Sequence, residues 1–110
     1  MSWIRITQTE DIPLREGRAV LLGAEEIAIF NLGGRFLAVG NRCPHRGGPL
    51  ADGIVAGESV VCPLHGWKVC LESGEVHRPA EQDACTRTFP VKVIDGILYV
   101  QAAAEQAEAA

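Results

Sequence analysis

The sequence predicts an all-β fold, a sandwich or partly open barrel of short antiparallel strands. Three observations predict it. The apolar runs are short and are punctuated throughout by Gly, Pro and Asp. Two neighbouring pairs of runs are joined by two-residue hairpin signals, Gly33-Gly34 and Asp95-Gly96. Two Gly- and Pro-rich stretches, each with one Cys and one His, interrupt the runs as loops. Regularly spaced short strands with turn signals between them belong to sandwiches and barrels. The 110 residues amount to one ordinary domain. We place that domain at residues 1–101 and treat 102–110, nearly all Ala, Glu and Gln, as a tail without function.

In chain order, the N-terminus opens Met1-Ser2-Trp3-Ile4-Arg5 and continues polar, with no apolar signal core. No apolar run approaches the ~18 residues that a membrane-spanning helix needs. The expected location is therefore cytoplasmic, with no membrane partner. Arg18–Leu22 and Glu26–Leu32 read as strands, and Arg35–Val39 follows the Gly33-Gly34 turn. The first loop, Asn41 to Gly53, holds Cys43-Pro44-His45-Arg46-Gly47-Gly48-Pro49. Ser59–Val61 leads into the second loop, which holds Cys62-Pro63-Leu64-His65-Gly66. Trp67–Leu71 and Glu75–Arg78 are strands on either side of Ser73-Gly74, and Arg87–Ile94 and Ile97–Gln101 flank Asp95-Gly96. Val91, Val93, Ile97 and Tyr99 alternate with other residues and are expected on a buried face.

Charge narrows the partners. The formal net charge is −4 and no basic stripe runs along the chain, so nucleic acid is excluded. The acidic balance reads as an ordinary solvated surface, with a positively charged redox partner as the alternative. Four cysteines in a short secreted chain would suggest disulfides. In a cytosolic chain, cysteines beside histidines point instead to metal.

Each loop presents one Cys and one His, as Cys43-x-His45 and Cys62-x-x-His65, with sixteen residues between His45 and Cys62. Two thiolates and two imidazoles suit zinc or iron–sulfur. Three features favour a two-iron cluster. Zinc fingers usually group like ligands, whereas here each loop gives one of each, as a centre with both Cys on one iron and both His on the other would use. Cys-x-His is tight for chelating one tetrahedral ion. Gly47, Gly48 and Gly66 let backbone N–H groups come close to bridging sulfides. Cys70 and Cys85 stand away from ligand spacing and are expected to be buried, inert thiols. His77 is assigned a packing or surface role, and Trp67 either shields the site or is ordinary core.

Cys43-Pro44-His45-Arg46-Gly47-Gly48-Pro49-Leu50 with Cys62-Pro63-Leu64-His65-Gly66-Trp67 resembles the signature of the Rieske [2Fe–2S] domain. The resemblance covers nearly the whole chain. It implies a Rieske-type fold with two cluster-binding loops. It also implies a cluster held on one iron by Cys43 and Cys62 and on the other by His45 and His65. Two ferric ions, two sulfides and two thiolates sum to a neutral oxidised centre. A four-cysteine centre starts two units more negative and is harder to reduce. High-potential members carry an extra disulfide between the loops, at positions corresponding to Gly48 and Leu64, and hydroxyl donors after the second His. This chain has neither, which places its expected potential at the low end of the Rieske range, roughly −150 mV.

Two kinds of Rieske protein compete. Glu26-Ile27-Ala28-Ile29-Phe30, the two loops, and Cys85-Thr86-Arg87-Thr88-Phe89-Pro90-Val91-Lys92-Val93 resemble the small subunit of assimilatory NAD(P)H-dependent nitrite reductase. That resemblance implies a large partner holding FAD, sirohaem and a [4Fe–4S] cluster, which reduces nitrite to ammonium. The alternative is the ferredoxin of an aromatic-ring-hydroxylating dioxygenase system, with a flavoprotein reductase and an oxygenase as partners. A third reading is an assembly subunit whose cluster only stabilises the fold. The chain has no dinucleotide-binding turn and no separate acid–base pair, so it should not catalyse a reaction alone.

Overall fold

The computed structural model describes residues 2–22, 25–42, 48–64, 66–78 and 85–102. Among the described residues, eleven strands form three small antiparallel sheets, and the only helical pieces are two 3-10 turns, Thr9–Asp11 and Leu50–Asp52. Strands β1 (Ser2–Gln8), β10 (Val91–Ile94) and β11 (Ile97–Ala102) make the first sheet, in the order β1-β11-β10. The second is β2 (Gly17–Leu22), β3 (Glu25–Asn31), β4 (Phe36–Gly40) and β9 (Thr88–Phe89), in that order. The third is the meander β5 (Ile54–Ala56), β6 (Ser59–Val61), β7 (Lys68–Cys70) and β8 (Val76–Arg78). No described helix is long and apolar enough to cross a membrane. The expected all-β fold of short antiparallel strands is what the chain adopts.

Strand β3 organises the interior. Ile27, Ala28, Ile29 and Phe30 are all fully buried, so both faces of the strand are covered. Successive side chains point to opposite faces. Ala28 and Phe30 therefore join one apolar cluster, with Val39, Leu50, Val60, Cys62, Val69, Leu71 and Val76. Ile27 and Ile29 join a second cluster with Ile12, Ala38, Phe89, Leu98 and Val100. β4 divides in the same way, giving Val39 to the first and Ala38 to the second. One core lies beneath the β5–β8 meander, and the other lies beneath the sheet that joins the two ends of the described chain.

Both expected hairpins form. Asp95 and Gly96 have φ of 53° and 77°, the two positive values that a type I′ turn demands. The register then pairs Ile94 with Ile97, Val93 with Leu98, Lys92 with Tyr99 and Val91 with Val100. This corrects the expected buried face. Opposed residues share a face, so Val91 and Val93 go with Leu98 and Val100, not with Ile97 and Tyr99. Leu98 and Val100 are fully buried, while Val93, at the sheet edge, is 47% exposed. On the other face Lys92 sits over the rings of Trp3, at 4.3 Å, and Tyr99, at 5.9 Å.

Two further differences have local causes. The run read as one strand over Arg87–Ile94 is two, with Phe89 paired to Ala38 in one sheet and Val91 to Val100 in another. Pro90 stands at the crossover, where its missing N–H costs no ladder bond. β1 and β5 were not foreseen as strands. β1 pairs with β11, register Ser2↔Ala102 to Gln8↔Ile97, so its partner lies at the far end of the sequence.

Arg35, beyond the β3–β4 turn, ties the second sheet to the third. Its Nη2 donates to Glu58 and to Glu72, each at 2.5 Å. Those carboxylates lie in the β5–β6 and β7–β8 turns. The bond to Glu72, with the charges of Glu58 and Glu72, holds the guanidinium above the ordinary arginine pKa against an opposing desolvation.

Candidate metal centre

Of the four residues the sequence singles out, the structure describes Cys62; Cys43, His45 and His65 fall in segments 43–47 and 65, outside the described residues. What is described is the frame from which the two loops depart, and each loop has a closed base.

The first loop leaves the end of β4 and returns to the same point. Arg42 and Pro49 form an isolated antiparallel bridge. Beneath it the backbone N–H of Leu50 donates to the Asn41 carbonyl at 2.9 Å, and the Asn41 N–H donates to Glu26 at 2.9 Å. The Asn41 side-chain oxygen accepts from the N–H of Ala51 at 2.7 Å. Asn41 is one of two buried polar residues among the described ones, 3% exposed. Burying an amide is costly unless its groups are bonded, and here it bonds both the outgoing and the returning chain. Sequence reading placed Asn41 at the loop's start and gave it no role. An Asn beside a Gly/Pro-rich turn, able to bond a nearby backbone, was the available signal.

The second loop is shorter and closes on itself. The N–H of Cys62 donates to the Trp67 carbonyl at 2.8 Å, and that of Gly66 donates to the Cys62 carbonyl at 3.1 Å. Cys62 is 3% exposed and packs as part of the core below the meander. Trp67, half-buried, packs against the same core.

The two loops meet at Gly48. A Cβ there would stand 2.9 Å from the Cys62 sulfur and 2.9 Å from both Cγ and Cδ1 of Leu64. A Cβ there would force the Cys62 sulfur or the Leu64 side chain to shift, so the close approach favours glycine. Residue 48 is buried, and Leu64 covers it with one side while 53% of the residue stays in water. Gly48 and Leu64 thus face each other across the gap between the loops.

These observations agree with the expected cofactor. Cys62 is an unbridged, buried thiol at the base of the second loop, facing the space that a side chain at Gly48 would fill. A soft ligand in an apolar, backbone-lined seat suits an iron–sulfur centre better than an exposed ion. The other cysteines differ. Cys70 is half-buried, and Cys85 is exposed, which corrects the expectation of a buried thiol for both. Cys85 forms an isolated bridge to Glu75 ahead of β9.

Three small antiparallel sheets, with a buried Cys62 where the two loop bases meet, make a small all-β domain. The chain belongs to the Rieske [2Fe-2S] domain family, whose model matches residues 2–92. Its cofactor is accordingly a Rieske [2Fe–2S] cluster, and it is an electron-transfer protein. It is similar to the 3-phenylpropionate/cinnamic acid dioxygenase ferredoxin subunit of Escherichia coli strain K12, with 33% identity over 102 residues, 91% of this chain and 93% of that one. Among solved structures it resembles a chain of the complex of reduced oxygenase and oxidised ferredoxin in carbazole 1,9a-dioxygenase. That match has a TM-score of 0.81 and 25% identity, covering 89% of this chain and 100% of that one. It resembles equally a structural-genomics protein provisionally assigned as an NADPH nitrite reductase small subunit. There the TM-score is 0.80 at 25% identity, covering 93% of this chain and 100% of that one.

Proposed function

We propose that this chain is the ferredoxin of a multicomponent oxygenase system, carrying single electrons from a flavoprotein reductase to an oxygenase. The observation that carries this reading is the 33% identity to a dioxygenase ferredoxin subunit, end to end along both chains. We assign Cys43 and Cys62 to one iron and His45 and His65 to the other. The cluster supplies a site that takes up and gives back one electron. The chain's own residues hold it: the Cys62 sulfur is kept dry by the core and Leu64, Asn41 fixes where the first loop starts and returns, and Gly48 lets the loops approach. With no disulfide between Gly48 and Leu64 and no hydroxyl at Trp67 or Lys68, the potential falls near roughly −150 mV.

The small subunit of an assimilatory nitrite reductase is the second reading, supported by the loop and β9–β10 motifs and by the equal structural match. Purifying the tagged chain from its own host, grown with nitrate as sole nitrogen source, separates the two. A co-purifying flavoprotein reductase or oxygenase is the expected result. A large partner with sirohaem absorption would overturn the ferredoxin reading and establish the other. For the ligand set, Cys62→Ser should abolish the cluster's visible absorption and bound iron while leaving a folded β domain; an unchanged spectrum would remove Cys62 from the set.

A further inference from the structure

Strands β9 and β10 are one run of chain that changes sheet at Pro90, and the change opens a cleft. Phe89 pairs with Ala38 of β4. The same ladder, continued, would pair Val91 with Phe36. Val91 pairs instead with Val100 in the first sheet, so β4 and β10 diverge from Pro90 onward. Between them lies a cleft of about 760 Å³, walled by Ile12, Leu14, Phe36, Val91 and Val93. It opens on the core that does not contain Cys62.

β10 is also an edge strand, since the first sheet runs β1-β11-β10. In an antiparallel ladder the backbone groups of successive residues point alternately to the two sides. The Gln101 N–H donates to the Pro90 carbonyl at 2.9 Å. Pro90, Lys92 and Ile94 therefore face β11, and the N–H and C=O of Val91 and Val93 point to the open side. Among the described residues no strand or loop backbone pairs with them. Val93 and Ile94 are both 47% exposed, and Leu14 is 62% exposed at the rim. Next to Leu14, Arg15 has a φ of 67°, which residues other than glycine rarely adopt.

Proteins commonly guard such an edge with a charged side chain, lysine above all. Here the Lys92 ammonium lies away from the edge, over the rings of Trp3 and Tyr99. Among the described residues it forms no ion pair. Arg5, opposite Tyr99, shares the outer face with Lys92, and Asp95 stands in the turn beyond Ile94. In the cleft wall Arg35 is held by Glu58 and Glu72, and Glu10 supplies an acid. An added strand is therefore matched by uncharged apolar side chains inside and by a carboxylate outside.

We propose that the open edge of β10 takes up an extended segment of a partner protein as a fourth strand of the first sheet. Residues opposite Val91 and Val93 set apolar side chains into the cleft, and the residue opposite Lys92 presents a carboxylate on the outer face. A second copy of this chain matches less well, because its β10 carries Lys92 and no acid. Strand β3 separates this contact from the core that contains Cys62, so a partner held here leaves the loop bases uncovered. Nothing in the contact requires the cluster, and it stands apart from the electron-carrying role.

A synthetic strand tests this on the full chain. The holoprotein is titrated into a fluorescein-labelled peptide, Thr-Val-Glu-Val-Glu-Val-Thr, at about 0.01 M salt, and fluorescence anisotropy is read. Saturable binding is expected, with Kd below about 1 mM. The same peptide methylated on its three Val nitrogens, which removes the donors facing β10, should bind about tenfold more weakly. Val93→Pro removes an outward N–H and no bond to β11, as an edge strand tolerates, and should weaken binding by a similar factor. Lys92→Glu should weaken it about two- to fivefold, a difference that about 0.15 M salt should shrink. Leu21→Ser, at an exposed apolar residue on β2, should bind as the native chain does. Absence of saturable binding would overturn the proposal, and so would equal affinity for the methylated and unmethylated peptides. The methylated peptide keeps that test intact if Val93→Pro does not fold. A native chain that sediments as a dimer, and as a monomer in Val93→Pro, would make a second copy the occupant and overturn the partner segment. Native cluster absorption alongside any of these failures would leave the electron-carrying role untouched.

Discussion

The two apolar cores on either side of β3 are built from the same strands and differ in what they are free to change. The far core, around Ile29, Leu98 and Val100, is closed by backbone pairing and by a second sheet. The near core, around Phe30, Leu50 and Val69, contains Cys62 and supports both loop bases. Any movement there reaches Cys62, a proposed ligand. Equal burial therefore need not mean equal consequence, and matched substitutions in the two cores expose the difference.

The largest contrast should come from truncating one fully buried leucine in each core. Leu50→Ala and Leu98→Ala should each cost about 2–5 kcal/mol, from lost transfer energy and the cavity left behind. Thermal unfolding should register both. Cluster absorption and iron retention should suffer only in Leu50→Ala; equal loss of iron in both variants would break the comparison.

A smaller effect tests crowding in place of a void. Gly48→Ala must displace the Cys62 sulfur or the Leu64 side chain, at about 1–3 kcal/mol. Gly34→Ala, in the β3–β4 turn, meets nothing within 4 Å and should leave stability nearly unchanged. The electron paramagnetic resonance spectrum of the reduced chain should shift in Gly48→Ala and stay native in Gly34→Ala. Removing the Asn41 side chain should cost least, about 1–3 kcal/mol at most for an Ala51 N–H left without its acceptor. Iron loss to a chelator should still be faster in Asn41→Ala than in the native chain. An unchanged rate would mean that backbone bonds alone hold the loop.

How much of this could be read from the sequence depended on distance along the chain. The Asp95-Gly96 turn was legible because its chemistry is contained in two residues, and so were the loops, whose Cys, His, Gly and Pro stand in unbroken runs. The buried face of β11 was not, because an odd pairing sum across a two-residue turn shifts parity between the strands, so Val93 shares a face with Leu98. β1 escaped notice although Ile4 and Ile6 alternate with polar neighbours, since the pairing that makes it a strand is about a hundred residues away. At the site, sequence named the candidate ligands; it did not show that Asn41 seals the first loop or that Gly48 is where the loops touch. Those are relations between segments that composition does not encode.

The order of strands in the three sheets has a kinetic side. The meander β5–β8 consists wholly of neighbours in sequence, as does β2-β3-β4, so each can form by closing short loops. The sheet of β1, β11 and β10 must bring Ser2 beside Ala102 and is penalised by the entropy of that long closure. The half of the molecule proposed to hold the iron is thus the half whose strands pair with sequence neighbours and need not wait for Ser2 to meet Ala102.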